Sequence, residues 1–376
     1  MGQGLYIHVP YCRKACTYCN FHFSTSWKTM DDMVDAMRQE MAHRMGQADS
    51  WQTVYFGGGT PSVLTAQQIQ SLIDTATSHA PLQAGAEVTL EANPEDVDDR
   101  SIDQWIQAGV NRISLGVQSF EDSQLQWMNR AHNASQAVDA IKRLQDAGLS
   151  HITMDLIYGL PETSLAYWQD QVGQALAMDI PHLSTYGLTV EDKTVLHADI
   201  ASGKISKPMD ERSVEDFMWH RSHLREQGWL TYELSNSCQP GFEASHNAAY
   251  WRGEAYVGIG SGAHSFDGQW ERRLNVANNP MYIKAMKAGD SLGFELETLG
   301  PIERRNEQLM TGLRTDLGFQ RSHAGKWAET LDHLWSDAIA KGHMLRLEDR
   351  WKLTDAGMMW SDAIAAAGFI TDNTDL

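Results

Sequence analysis

The sequence predicts an α/β protein: a partial (β/α)6 barrel over residues 1–235, a connecting region over 236–299, and a small, mainly helical, winged-helix-like C-terminal domain over 300–376. Three observations predict this. Six short runs rich in β-branched and aromatic residues alternate with stretches of helical period as far as about Gly187, and such alternation builds right-handed βαβ units around a parallel sheet. From about residue 200 the alternation fades into helical, Trp-containing sequence. Beyond Gly300, amphipathic stretches precede one short hairpin.

The strand runs are LYIHV (5–9), TVYFGG (53–58), EVTLEA (87–92), NRISLGV (111–117), HITMDLIYG (151–159) and HLSTYGL (182–188), each of strand length with β-favouring residues. Between them Met30, Met33, Val34, Met37 and Met41 share one face of a helix. Thr65-x-x-Gln68 and Ser101-x-x-Gln104 have the form of capping boxes, and Gly109 and Gly148 sit where helices stop at C′. The run SNSCQPGFEASHNAAYWRG (235–253) reads as loop. In the C-terminal part, HAGKWAETLDHLWSDAIAKG (323–342) reads as an amphipathic helix and MLRLEDRWKLT (344–354) as a hairpin.

Composition narrows the function classes. Thirty Lys and Arg stand against 49 Asp and Glu, a formal charge of −19, which opposes a phosphate-binding surface and excludes nucleic acid as the expected partner. No apolar run approaches the ~20 residues needed to cross a bilayer, so no transmembrane segment is expected. The opening MGQGLYIHVPYC has neither a basic n-region nor a long apolar stretch, and a cytoplasmic location is the expectation. The 13 Trp are read mainly as packing residues.

Three of the four cysteines, Cys12, Cys16 and Cys19, form a C-x3-C-x2-C triplet directly after the first strand run, at the strand end where parallel barrels build their sites. Thiolates hold iron–sulfur clusters, usually four per cluster, so three leave one iron open. Structural zinc with His22 as fourth ligand is the alternative, although zinc sites commonly pair C-x2–4-C with a distant second pair. Cys238 stands apart and reads as a buried, inert thiol. In Tyr55-Phe56-Gly57-Gly58-Gly59-Thr60-Pro61 three glycines end a strand, where backbone without Cβ can approach a ligand closely. Polar residues also end later strands: Glu91, Gln118 and Asp155, with Arg130 shortly after. Each alone is commonly a solvated strand end; together at successive barrel positions they suggest one pocket.

Taken together, VPYCRKACTYCNF, FGGGTPS, LEANPED, LGVQSF, NRAH, MDLIYGLP and GIGSGAHSF resemble the coproporphyrinogen III dehydrogenase branch of the radical SAM proteins over most of the chain. That resemblance implies a [4Fe–4S] cluster on Cys12, Cys16 and Cys19 and S-adenosyl-L-methionine (SAM) on its open iron. It carries SAM binding onto Tyr6, Tyr18, Gly57, Gly58, Gly59, Thr60, Glu91, Gln118, Arg130, Asp155 and Gly187, and extends to Gly262 and His264. Two features depart from the dehydrogenase. Phe21 stands where its fourth cysteine falls, and His246-Asn247-Ala248-Ala249-Tyr250-Trp251 is similar to the HNxxYW haem-binding motif of the HemW haem chaperones. A neutral imidazole is a standard axial ligand for haem iron, and Tyr and Trp offer flat apolar faces to a porphyrin. The resemblance therefore implies haem on His246, flanked by Asn247, Tyr250 and Trp251, with His264 and His8 as further axial or supporting candidates. The implied function is a haem chaperone that passes haem to acceptor haemoproteins, membrane-associated respiratory enzymes among them, and has no catalytic residue of its own. The alternative is oxygen-independent coproporphyrinogen III dehydrogenase, a radical SAM oxidoreductase.

Overall fold

In β1 (Gln3–Val9), Leu5, Ile7 and Val9 alternate with Tyr6 and His8, so a single strand sends an apolar row one way and a polar row the other. The apolar rows of β1, β2 (Trp51–Gly58), β3 (Leu82–Ala92), β4 (Arg112–Gln118), β5 (His151–Tyr158) and β6 (His182–Gly187) join one continuous core. That core is covered by α1 (Met30–Arg44), α2 (Ala66–His79), α3 (Asp99–Gln107), α5 (Ala134–Asp146) and α6 (Leu165–Ala177), while α4 (Asp122–Trp127) packs through Leu125 in a smaller cluster with Met128, Ile157 and Leu160. The computed structural model describes residues 3–44, 49–289 and 293–370. All six strands are parallel and neighbour one another in chain order, which is the partial (β/α)6 barrel expected from the alternation.

Local signals place the helices. Thr65 and Gln68 form the reciprocal capping box of α2. The box expected at Ser101 falls three residues earlier: Asp98 is the N-cap of α3 and accepts from the Ser101 amide at 2.7 Å. An Asp side chain satisfies the first-turn amides as well as Ser, so helix polarity alone did not fix the start.

The region after the barrel is more than a connector. α7 (Val195–Ala201) and α8 (Asp210–Glu226) lead to β7 (Asn236–Cys238), which pairs antiparallel with β6. The stretch expected as loop contains a helix, α9 (Ser245–Arg252). β8 (Tyr256–Ile259) then adds parallel to the free edge of β1, and β9 (His264–Phe266), β10 (Glu271–Asn275) and β11 (Phe294–Thr298) continue antiparallel into an 11-stranded sheet. Glu40 of α1, 1% exposed, pins this extension. Its carboxylate accepts from Tyr282 Oη (2.6 Å), Asn275 Nδ2 (2.9 Å), the Gly260 amide (3.0 Å) and Arg44 Nη1 (2.7 Å); Tyr282 lies on α10 (Asn279–Lys287).

A second core gathers α11 (Pro301–Leu313) with a three-stranded sheet of order β12 (Phe319–Gln320), β14 (Arg350–Leu353), β13 (Met344–Arg346). The expected hairpin is β13–β14. The helix expected over 323–342 is broken into α12 (Arg321–Ala324), α13 (Ala328–Leu334) and α14 (Ser336–Ala340). Gly325, at φ +57°, supplies the positive φ that ends the first piece. α15 (Asp355–Met358) and α16 (Ser361–Ala367) complete it, a helix and wing arrangement as expected. Arg221 of α8 donates through Nε to Asp355 Oδ1 at 2.8 Å and through Nη1 to Glu233 O at 2.7 Å, joining this core to the barrel.

Candidate cofactor-binding site

The segment after β1 loops out and returns: Tyr11 bridges Ser24, the Cys12 amide donates to Ser24 O (3.0 Å) and the Ser24 amide to Pro10 O (2.9 Å). The excursion holds all three triplet cysteines. Its crown is tied to the barrel by Asn129 Nδ2 donating to Ala15 O (2.7 Å) and by the Thr17 amide donating to Met128 O (3.2 Å). Arg13 Nε meets Asp96 Oδ1 at 2.5 Å, and Ser62 Oγ meets the other Asp96 oxygen at 2.7 Å. A loop this constrained presents its thiols in one arrangement before any ligand arrives.

Those thiols line one cavity of about 700 Å³ at the C-terminal mouth of the barrel, together with Tyr6, His8, Tyr18, Gly58, Gly59, Thr60, Glu91, Gln118, Arg130, Asp155 and Gly187. Gly57 lies immediately beneath. A Cβ there would stand 2.9 Å from both the Tyr6 and Tyr55 rings and 3.0 Å from Glu91 Oε1. At Gly59 a Cβ would stand 2.6 Å from Tyr11 O and 3.0 Å from Cys12 Sγ. The two glycines thus keep open the ground between thiol and strand end. Gln118 adopts φ +66° at the end of β4, a conformation that non-glycine residues hold mainly where surroundings enforce it.

The charges in the cavity are buried and incompletely matched. Arg130 donates through Nη2 to Asn93 Oδ1 (2.6 Å) and Gly116 O (2.8 Å) and through Nη1 to Cys16 Sγ (3.4 Å), while its buried Nε has no protein partner. Such a donor is suited to an anionic ligand group. Burial pushes the Glu91 carboxyl up to about 7, against the opposing bond from Tyr55 Oη at 2.8 Å. Burial and the charge of Glu91 push Asp155 up to about 7 as well, with Ser114 Oγ donating at 3.3 Å. Burial also raises the Cys12 thiol to about 11.

The donor set fits a cluster with SAM. Among the described residues no three His, Cys, Asp or Glu side chains converge on a point for one metal ion, whereas a cluster spreads its thiolates over separate irons. His22, the fourth ligand a zinc site would recruit, commits Nε2 to Asn279 Oδ1 (2.8 Å) and Ser261 Oγ (3.2 Å). Two carboxyls suit hydroxyl and ammonium donors, and the unpartnered Arg130 Nε suits a carboxylate. Phe21, 68% exposed, stands on the rim of this cavity. Sequence reasoning did not single out Asn93, Tyr186 or Ser114, which also line it. Asn93 was readable within LEANPED; Ser114 and Tyr186 follow from strand parity only once the register of β4 and β6 is known.

Gly262 lines this cavity as well; the residues of the haem motif and His264 lie elsewhere. His246, Asn247, Tyr250 and Trp251 belong to α9, and α9 closes the opposite, N-terminal end of the barrel. The α9 amides of Ser245 and His246 donate to the Glu87 carboxylate at 2.9 and 3.0 Å. The His246 ring enters the lumen beside Gly4, where a Cβ would stand 3.3 Å from Cε1. It is 2% exposed. Its Nδ1 pairs with Thr53 Oγ1 at 2.7 Å and its Nε2 with Tyr250 Oη at 2.9 Å. Burial lowers its pKa to about 3, so the imidazole is neutral. The expectation of a loop is corrected here: the run is helical, and as seated both His246 nitrogens are hydrogen-bonded. His264 is exposed on β9 and is not among the cavity residues. His8 lines the cavity, with Nδ1 3.1 Å from Tyr6 Oη.

Comparison with known proteins agrees with this architecture. The Radical SAM superfamily model matches residues 6–170. The chain is 32% identical to "Heme chaperone HemW" of Bacillus subtilis, covering 97% of this chain and 98% of that one. It is also 32% identical to "Heme chaperone HemW" of Escherichia coli over 96% of each. The zebrafish "Radical S-adenosyl methionine domain-containing protein 1, mitochondrial" is 33% identical over 85% of this chain and 74% of its own. Among solved structures, the E. coli coproporphyrinogen III oxidase HemN, described as a radical SAM enzyme, superposes with a TM-score of 0.83 at 19% identity, covering 98% of this chain and 90% of that one. That likeness establishes the fold.

Proposed function

Because the chain belongs to the HemW family of radical SAM proteins, we propose that it is a haem chaperone, which binds haem and passes it to acceptor haemoproteins. The observation that carries this reading is the pairing of a three-thiol cavity, whose rim has Phe21 in place of a fourth cysteine, with the HNxxYW run of α9. Cys12, Cys16 and Cys19 would hold the [4Fe–4S] cluster, which when bound supplies one iron with coordination positions open to the amino and carboxylate groups of SAM. Tyr6, Tyr18, Gly57 to Thr60, Gln118 and Gly187 surround the SAM position. Glu91 and Asp155 accept from its hydroxyl and amino groups, and Arg130 pairs with its carboxylate.

Haem ligation falls to His246, with Asn247, Tyr250 and Trp251 around it and His264 or His8 as second candidates. Since both nitrogens of His246 are engaged while α9 is seated, ligation requires α9 to leave its place. Among the described residues no helix is long and apolar enough to cross a membrane.

The test is a haem titration of cluster-loaded protein, followed in the same sample by transfer to an apo-haemoprotein and by assay for 5′-deoxyadenosine. Stoichiometric haem uptake with transfer supports the chaperone. Multiple-turnover conversion of coproporphyrinogen III to protoporphyrinogen IX in the presence of SAM and reductant overturns it in favour of the dehydrogenase.

A further inference from the structure

From the contacts at the turn after β3 we infer that Asn93 is a positioning residue for the cluster. Its one side-chain amide holds both Thr60 and Arg130, the side chains that face the thiols of Cys12 and Cys16, and so sets the reduction potential of the cluster together with the affinity for SAM. The inference rests on the cofactor reading above.

Asn93 stands directly before a single tight turn, Pro94–Asp96, at the position where an Asn side chain commonly caps the first amides. Here it makes no such bond. The turn closes through backbone alone, the Asp96 amide donating to Asn93 O at 3.0 Å and the Val97 amide to Pro94 O at 3.2 Å. The carboxamide is left for the cavity that it lines.

There its two ends do different things. Nδ2 donates to Thr60 Oγ1 at 3.3 Å, and Oδ1 accepts from Arg130 Nη2 at 2.6 Å. A guanidinium can only donate, so the amide oxygen must face Arg130 and the nitrogen Thr60. A hydroxyl that accepts from Asn93 keeps its own proton to give to a second partner. Burial disfavours the Cys12 thiolate, and of the groups around it the Thr60 hydroxyl favours it most. Arg130, held at Nη2, turns Nη1 to Cys16 Sγ at 3.4 Å. Two thiols of the triplet are thus served through one amide.

The surroundings keep this bridge in place. A Cβ on Gly116 would stand 3.0 Å from Asn93 Oδ1 and 3.2 Å from Arg130 Nη2, so the bare strand end leaves room for the bond. The Gly116 carbonyl takes a second bond from Nη2 at 2.8 Å. Glu95 Oε2 lies 3.2 Å from His132 Nδ1, whose Nε2 is 3.1 Å from Val117 O, and this pair ties the same two loops a second time.

An electron added to an iron–sulfur cluster raises its negative charge, and donors on the cysteine sulfurs stabilise that reduced form. The donors at Cys12 and Cys16 therefore raise the reduction potential, the charged one at Cys16 most. The same guanidinium keeps a buried Nε without a protein partner, the group assigned above to the SAM carboxylate. Without the Asn93 amide, Arg130 retains only the Gly116 carbonyl as an anchor for Nη2, and nothing else orients the Thr60 hydroxyl. Both thiols lose their donors' alignment, and the potential and the SAM affinity fall together.

Redox titration of the full-length, cluster-loaded protein tests this. Dithionite reduces the cluster by one electron, and electron paramagnetic resonance follows the reduced form in the native chain, Asn93→Leu, Asn93→Ser and Arg130→Met. Asn93→Leu keeps the branched shape without either hydrogen bond. Asn93→Ser keeps a residue suited to start the turn but is too short to span both partners. Both should titrate at a more negative potential than the native chain and bind SAM more weakly, on the order of tenfold by equilibrium dialysis. Arg130→Met should shift the potential further in the same direction, and adding Asn93→Leu to it should shift the potential by less than Asn93→Leu does alone. If loaded Asn93→Leu and Asn93→Ser keep the native potential, the inference is overturned while the cofactor reading stands. Failure of both variants to take up a cluster makes Asn93 a folding element and overturns it too. If the native chain itself takes up no cluster, the cofactor reading fails and the inference with it.

Discussion

Tyr55→Phe removes the one hydroxyl that donates to Glu91 and leaves the side-chain volume nearly intact, so its consequence can be worked through. Tyr55 Oη donates to Glu91 Oε1 at 2.8 Å, a bond that favours the ionised carboxylate against the burial that pushes Glu91 up to about 7. A hydrogen bond to a buried charged group contributes roughly 1.5–3 kcal/mol, and one pKa unit corresponds to about 1.4 kcal/mol. Removing the hydroxyl should therefore raise the Glu91 carboxyl by a further one to two units, roughly. SAM presents hydroxyl and amino donors, which an ionised carboxylate accepts best. Native affinity for SAM should accordingly weaken as pH falls through about 7, where Asp155 also titrates, and the variant should begin to weaken at a higher pH. The sign for stability is opposite. An acid whose folded pKa is raised contributes most below its usual value of 4.5 and loses that contribution as pH rises toward about 7; the variant extends the loss to higher pH. Calorimetric SAM titrations of cluster-loaded protein across neutral pH read the midpoint directly. A variant with the native midpoint and native affinity would refute the assignment of Glu91 to the SAM site.

Three further outcomes are expected. Cys16→Ala should abolish the visible absorption of the reconstituted cluster and SAM binding with it, while thermal unfolding of the iron-free chain changes by no more than about 0.5 kcal/mol. Asp355→Asn leaves the Arg221 guanidinium, 1% exposed as a side chain, without its carboxylate. Breaking a buried pair costs about 3–5 kcal/mol, and the Glu233 carbonyl that Arg221 retains places the expectation near 3, read from the denaturant midpoint at unchanged slope. A Cβ at Gly258 would stand 1.8 Å from His264 O, so Gly258→Ala should separate β8 from β9 and cost at least about 2 kcal/mol.

Much of the barrel was legible because its signals are local. Each strand run needed only its own β-branched residues and the glycine or cap that followed, and the observed strands begin and end within a few residues of those runs, β3 excepted. Its first five residues, Leu82 to Ala86, lack the apolar alternation of EVTLEA. The expected single helix over 323–342 failed at Gly325, whose positive φ no periodicity reveals. α9 was hidden for a different reason: Ser245-His246-Asn247 is polar and weakly helical on its own. Its start is satisfied by Glu87, a residue of β3.

The sequence by itself determined the thiol loop, because three cysteines within eight positions need no distant partner to be brought together. It also determined the carboxylates and glycines at strand ends, because in a parallel barrel all such ends open on one face. Only the tertiary structure decided which way α9 faces. His246 meets Thr53 across 193 positions of chain, and no local pattern records that encounter. A run that reads as loop is, once folded, a helix whose histidine is buried, because its two ring nitrogens find Thr53 and Tyr250 as partners in the N-terminal end of the barrel.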